Sequence, residues 1–177
     1  MNKEEKLISS ELIYDGRILK LYNDKVLCPN GDVAYREVTR HTFGAAILAI
    51  YDGYIYFERQ FRYPFASEVF ELPAGKGEKG EEPIVSAIRE LEEETGLISK
   101  NMEYLGTMYP SPGYTDEVIH LFFSKDNEMG SIKRDKDEFI DIVKLSAKDA
   151  YKMLDEGKIV DAKTMIILYK LRDRLLK

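Results

Sequence analysis

A chain of 177 residues that is 44% hydrophobic and 33% charged is long enough to bury one core and polar enough to stay dissolved around it. Its net charge of −6 argues against a surface built to hold a nucleic-acid backbone, and no apolar run approaches the roughly 20 residues that cross a bilayer. The single cysteine, Cys28, excludes an internal disulfide, and the charged start Lys3-Glu4-Glu5-Lys6 has no signal-peptide core; together these features predict a cytoplasmic protein without membrane or nucleic-acid partners.

Residues 7–14 and 17–28 carry β-branched and aromatic side chains at strand spacing, and Pro29-Asn30-Gly31-Asp32 is a turn before a third strand at 33–38. So small a sheet is marginal by itself. Residues 1–42 are therefore expected to form an N-terminal antiparallel element that packs on the rest of the chain or on a partner. From Phe43 the pattern changes. Gly44-Ala45-Ala46-Ile47-Leu48-Ala49-Ile50 is a continuous apolar run suited to a strand buried on both faces, and Asp52-Gly53 turns it into a second strand, 54–60. Residues 82–95 read as a helix with Pro83 at its first position, Gly96 at its exit, and Ile84, Ala87, Ile88 and Leu91 on one apolar face. Strands are expected at 103–109, 117–124 and 139–145. Ser146 and Asp161 stand where two closing helices would be capped. The class is α+β: a mixed sheet flanked by helices over 43–177, with a small N-terminal antiparallel sheet over 1–42.

The chemistry concentrates on the first helix. Glu90, Glu93 and Glu94 lie at i, i+3 and i+4, so three carboxylates share one flank. Like charges so placed repel by about a few tenths of a kcal/mol per pair, which is tolerable when something cationic sits among them. Arg89 is one turn before Glu93 and is placed to hold it, leaving the others for a hard divalent cation that shares its oxygen ligands with phosphate. An ordinary Glu-rich helix would be a solvated face. The surroundings decide otherwise. Gly75 is followed after five residues by Glu81, then after seven by Arg89-Glu90-Leu91, then by Glu93-Glu94 and Gly96-Leu97.

That pattern resembles the Nudix box, G-x5-E-x7-R-E-U-x-E-E-x-G-U with U aliphatic, at every specified position. Seven fixed residues would coincide by chance on the order of once in 10⁹ starts. The resemblance implies a Nudix fold and hydrolysis of a diphosphate linkage with Mg²⁺, Mn²⁺ being an alternative. It implies a metal site made from the Ala74 carbonyl, Glu90 and Glu94, with Glu93 as a further ligand or catalytic group, and it implies that Glu81 and Arg89 brace the box. Four other segments resemble the ADP-ribose pyrophosphatases of that family: Gln60-Phe61-Arg62, Glu71-Leu72-Pro73-Ala74-Gly75-Lys76, Ser111-Pro112-Gly113 and Asp161-Ala162-Lys163-Thr164. They imply ADP-ribose as substrate, AMP and ribose 5-phosphate as products, and Arg62, Glu71 and Pro112 as substrate contacts. In similar enzymes the N-terminal strands are exchanged in a homodimer. In similar ADP-ribose hydrolases the general base is a glutamate on a loop ahead of a late strand; the resemblance implies Glu138 in that place here, with Asp135 and Asp137 as alternatives.

Other readings stay open. The substrate is alternatively GDP-mannose, another nucleoside diphosphate sugar, or a flavin or dinucleotide pyrophosphate. A nucleotide-binding regulator without catalysis would be expected to lose box glutamates or to add a DNA-binding domain; here the glutamates are intact, and little of the chain is left beyond the box domain to read DNA. His120 reads as a strand residue and Cys28 as a small packed one.

Overall fold

The computed structural model describes residues 3–133 and 139–177. The chain forms two compact units, Met1–Thr42 with Tyr109–Val118, and Phe43–Met108 with Ile119–Lys177.

The first unit is a three-stranded antiparallel meander of β1 (Lys6–Asp15), β2 (Lys20–Leu27) and β3 (Val33–Arg40), with β2 in the middle. The turn expected at Pro29–Asp32 joins β2 to β3, closed by Gly31 N–H on the Cys28 carbonyl at 2.9 Å. Little of this sheet is covered. Every residue of β1 is exposed, Leu7, Ile8, Leu12 and Ile13 among them, whereas Asp24 and Val26 of β2 are buried. Asp24 accepts hydrogen bonds from Ser10 Oγ at 2.5 Å and Arg40 Nη2 at 2.6 Å, which ties the three strands across their face. The segment Tyr109–Val118 docks on the end of β3: Thr39 N–H donates to the Tyr114 carbonyl at 2.7 Å, and His41 N–H to Asp116 Oδ1 at 2.8 Å.

The second unit is built on a mixed sheet. Its strands are β4 (Gly44–Tyr51), β5 (Tyr54–Arg62), β6 (Ser67–Glu71), β7 (Ala74–Lys76), β8 (Leu97–Met108), β9 (Ile119–Met129) and β10 (Ile140–Leu145). The order is β10-β5-β4-β9-β8, with β6 added on β5 and β7 on β4. β4 and β9 run parallel, and the other pairs are antiparallel. Among the described residues three α-helices cover it: α1 (Pro83–Thr95), α2 (Ala147–Asp155) and α3 (Ala162–Leu175). The apolar run of β4 is continuous because both of its faces are covered. Ala46 and Leu48 pack with Tyr151, Leu154, Ile167, Leu168 and Leu171 of α2 and α3. Ala45, Ile47 and Ala49 pack with Ala87 and Leu91 of α1. This is the period of two expected of a strand between two layers.

The caps are where the sequence puts them: Ser146 Oγ accepts Asp149 N–H at 3.1 Å and Asp161 Oδ2 accepts Thr164 N–H at 3.0 Å. Two short strands go beyond the sequence reading. β7 has only three residues and no apolar alternation, and β6 has five; both exist by pairing with a longer neighbour. β8 begins at Leu97, directly after α1, rather than near 103, and its register shifts between Ser99 and Met102. Among the described residues no helix is long and apolar enough to cross a membrane.

Candidate active site

α1 is the centre of the site, and its buried stripe is not wholly apolar. Ser86, Ala87, Leu91, Glu94 and Thr95 are buried, while Ile84, expected on the covered face, is exposed. Glu94 follows Leu91 by three residues and Ala87 by seven, so it lies on the inward stripe with them. At its end the helix needs a left-handed residue. Gly96 has φ 75° and donates its N–H to the Glu92 carbonyl at 2.8 Å, closing the last turn. The chain returns to the same place after β9: Gly130 N–H donates to the Gly96 carbonyl at 2.7 Å, and Lys133 N–H to the Glu93 carbonyl at 2.9 Å.

Arg89 organises the outer flank of α1. Its Nε donates to Glu81 Oε1 at 3.0 Å and its Nη2 to Glu81 Oε2 at 3.1 Å. Its Nη1 reaches Glu90 Oε1 and Glu93 Oε2, both at 2.8 Å, and its Nη2 the Lys76 carbonyl at 3.1 Å. One guanidinium thus fixes three carboxylates and the loop before the helix, which only a planar five-donor fork does. The hydrogen bonds from Arg89 hold the Glu81 carboxyl down to about 2. The expected pair of Arg89 with Glu93 is present, and Glu81 and Glu90 join it.

Inside this flank lies a second group of carboxyls. Glu94 Oε2 accepts Ala74 N–H at 2.9 Å. Glu94 also lies beside Glu58 of β5, itself 4% exposed. Burial, then the charges of Glu58 and Glu90, push the Glu94 carboxyl far above the usual carboxylate range. Glu90 rests directly on the backbone of Gly75: a Cβ there would stand 2.0 Å from Glu90 Cδ and 2.2 Å from both of its oxygens, so any side chain at 75 would displace the carboxylate.

Among the described residues no three His, Cys, Asp or Glu side chains form a ready-made metal cage. The donors nevertheless fit one kind of ion. A hard cation such as Mg²⁺ keeps several waters and shares substrate phosphates, so one or two carboxylates suffice. Glu90 and Glu94, close enough to perturb each other and all oxygen in character, meet that requirement; a closed zinc site with nitrogen or sulfur ligands does not fit.

A second cluster surrounds Glu71, at the end of β6. Arg62 donates Nε to Glu71 Oε1 at 2.6 Å and Nη2 to Oε2 at 2.8 Å, a two-point pair, and Lys163 Nζ lies 2.5 Å from the same Oε2. Lys163 also meets Asp161 at 2.9 Å. Burial raises the Glu71 carboxyl, but the hydrogen bonds and charges of Arg62 and Lys163 outweigh it and hold the group below its usual range. These four residues form part of the wall of a cavity of about 640 Å³, with Phe65, Ser67, Val69, Val160 and Ala162 completing it. Three of the segments singled out in the sequence, those of Arg62, Glu71 and Lys163, therefore meet at one place.

Pro112 is exposed in the first unit, whereas Arg62 and Glu71 belong to the second. Glu138, Asp135 and Asp137 lie outside the described residues. His120 lies in β9 with its ring edge-on to Phe43 at 5.5 Å. Sequence reasoning missed Glu58. The available signal was an acidic residue inside Tyr54–Arg62, a strand whose neighbours are aromatic and aliphatic, where a charge is kept only with a partner.

A family model described as NUDIX domain matches residues 40–166. An ADP-ribose pyrophosphatase of Bacillus subtilis (strain 168) is 42% identical over 91% of this chain and 89% of its own length. A protein of Bacillus methanolicus named methanol dehydrogenase activator is 42% identical over 96% of this chain and 93% of its own. Among solved structures, an ADP compounds hydrolase superposes with a TM-score of 0.87 and 20% identity, covering 98% of this chain and 95% of that one. At that identity the likeness is one of fold.

Proposed function

This chain belongs to the Nudix family and is a Nudix pyrophosphohydrolase, and from that premise we propose that it hydrolyses ADP-ribose to AMP and ribose 5-phosphate with Mg²⁺. The observation that carries the choice of substrate is the meeting of Arg62, Glu71 and Lys163 on one cavity lined by β6, together with the similarity to the Bacillus subtilis ADP-ribose pyrophosphatase.

In this reading Glu90, Glu94 and the Ala74 carbonyl hold the cation, with Glu93 as a further ligand or catalytic group. When bound, the cation neutralises charge on the diphosphate and acidifies water. Arg89 and Glu81 keep the carboxylates in place before substrate arrives, so no reorganisation is needed at the moment of reaction. Glu71 aims Arg62: with Nε and Nη2 engaged, the guanidinium is fixed in plane and its Nη1 edge is offered to a phosphate or ribose oxygen. Pro112 is proposed as a further substrate contact. Glu138 is proposed as the proton acceptor. The active form is proposed to be a homodimer in the cytoplasm; the exposed apolar side chains of β1 support the dimer, since a second copy packed on them would cover them.

The test is hydrolysis of ADP-ribose with Mg²⁺, with products separated and set against GDP-mannose, other nucleoside diphosphate sugars and dinucleotide pyrophosphates. Efficient turnover of ADP-ribose to AMP supports the proposal. A clear preference for another member of the panel moves the substrate within the same chemistry. Light scattering that finds only monomer at micromolar concentration removes the dimer.

A further inference from the structure

The segment Asp161-Ala162-Lys163-Thr164 opens α3, and the side chains of Asp161, Lys163 and Thr164 engage one another, the Glu71 carboxylate and the Leu72 N–H. Lys163 Nζ bridges Glu71 and Asp161. Thr164 Oγ1 accepts Leu72 N–H at 2.8 Å and donates to Asp161 Oδ2 at 2.6 Å. Thr164 is 0% and Leu72 1% exposed, so water does not replace this bond. The next two residues continue the series. The Pro73 carbonyl accepts Ile47 N–H at 2.9 Å, and Ala74 N–H donates to Glu94 Oε2 at 2.9 Å.

Each of four consecutive residues, Glu71 to Ala74, is thus tied to another element: to β5 and α3, to α3, to β4, and to α1. A helix N-cap needs only the Asp161 carboxylate on Thr164 N–H. The threonine hydroxyl and the lysine go further and fix the strand that delivers Ala74 to Glu94. We infer that the first turn of α3, through Thr164 and Lys163, is a positioning device for the metal site. It sets where the Ala74 backbone stands against Glu94. This rests on the reading that Glu90 and Glu94 hold a divalent cation. Neither Thr164 nor Lys163 touches the cation in this account. Both act through Glu71 and Leu72, as groups behind metal ligands do, and their loss is expected to weaken metal binding by about 10-fold.

The experiment is calorimetric titration of the full chain with Mn²⁺ alone, without substrate, so that turnover is not the readout. The parent and Glu94→Gln come first: equal Mn²⁺ affinity in these two overturns the metal reading and the inference with it. Given a difference there, Thr164→Val is expected to bind Mn²⁺ about 10-fold more weakly, and Thr164→Ser, which restores the hydroxyl, to lie within about two-fold of the parent. If Thr164→Val does not fold, Lys163→Met decides, since it leaves Glu71 its pair with Arg62; here too a loss of about 10-fold is expected. Parental Mn²⁺ affinity in the folded variants, with only a lower melting temperature, shows that the segment merely stabilises α3 and overturns the proposal.

Discussion

Around Arg89 and around Glu71, the second unit holds two clusters of charged side chains with opposite arithmetic. At Arg89 one guanidinium faces Glu81, Glu90 and Glu93, and behind them Glu94 lies beside Glu58. At Glu71 two cations, Arg62 and Lys163, face two carboxylates, Glu71 and Asp161. Among these residues the first cluster sets five carboxyls against one guanidinium, and the second sets two cations against two carboxylates. A partly buried group of carboxyls that outnumbers its cations favours a further cation or a bound proton. A balanced cluster calls for neither and presents a fixed polar wall. The contrast fits the proposed function, in which the cation belongs to the first and a hydrogen-bonding part of the substrate to the second.

Removing a charge from each side tests that division. Glu94→Gln keeps the shape of the acidic cluster and lowers its excess. Turnover of ADP-ribose with Mg²⁺ is expected to fall by at least about 10²-fold, the usual loss on removing a main electrostatic stabiliser. Near-parental kcat would erase the distinction between the clusters. Glu71→Gln unbalances the other cluster instead, leaving Arg62 and Lys163 with a neutral partner. About 2 kcal/mol of unfolding free energy is expected to be lost in urea titration, as when a buried charged hydrogen-bond partner is withdrawn. No change in the urea midpoint would mean that the balance has no energetic weight. Arg62→Lys keeps the charge but not the fork. The expectation is a rise of about 10-fold in KM for ADP-ribose with a smaller change in kcat; a fall in kcat alone would move Arg62 from substrate binding to the chemistry.

The two clusters were also unequally legible in the sequence. The outer flank of α1 could be read from spacing, since i, i+3 and i+4 positions must share a face, and Arg89 meets Glu93 as that geometry requires. Glu81 as a partner of Arg89 could not, because the segment between β7 and α1 has no period and is held by contacts with distant residues such as Gly77 N–H on the Phe43 carbonyl. Glu94 facing inward follows from its place three residues after Leu91, whereas its partner Glu58 comes from a strand paired through tertiary contacts alone. The second cluster was visible only as separate fragments that resemble one enzyme group. Glu71 and Lys163 are 92 residues apart, and nothing local in either segment says that they touch. The sheet core was easier: a strand apolar at every position implies cover on both faces, and β4 has it.

The smallest expected effect separates the clusters by pH. Glu71 has a folded value below its ordinary 4.5, because Arg62 and Lys163 outweigh the effect of burial. A depressed folded value means that the unfolded chain binds the proton more readily. The stabilisation is therefore complete above the ordinary value and is lost as pH falls through the lower, folded one. Urea titrations of the parent and Glu71→Gln from pH 7 to 3 should give curves that run parallel down to about pH 5 and converge below it. Glu81, held at about 2 by Arg89, also loses its stabilisation in acid, but it does so in both proteins. Its contribution cancels in the difference, provided that the two clusters act independently. A difference that stays constant to pH 3 would show that the effect of the substitution is packing rather than charge. One that widens in acid would contradict the sign and remove Glu71 as the ionised centre of the balanced cluster.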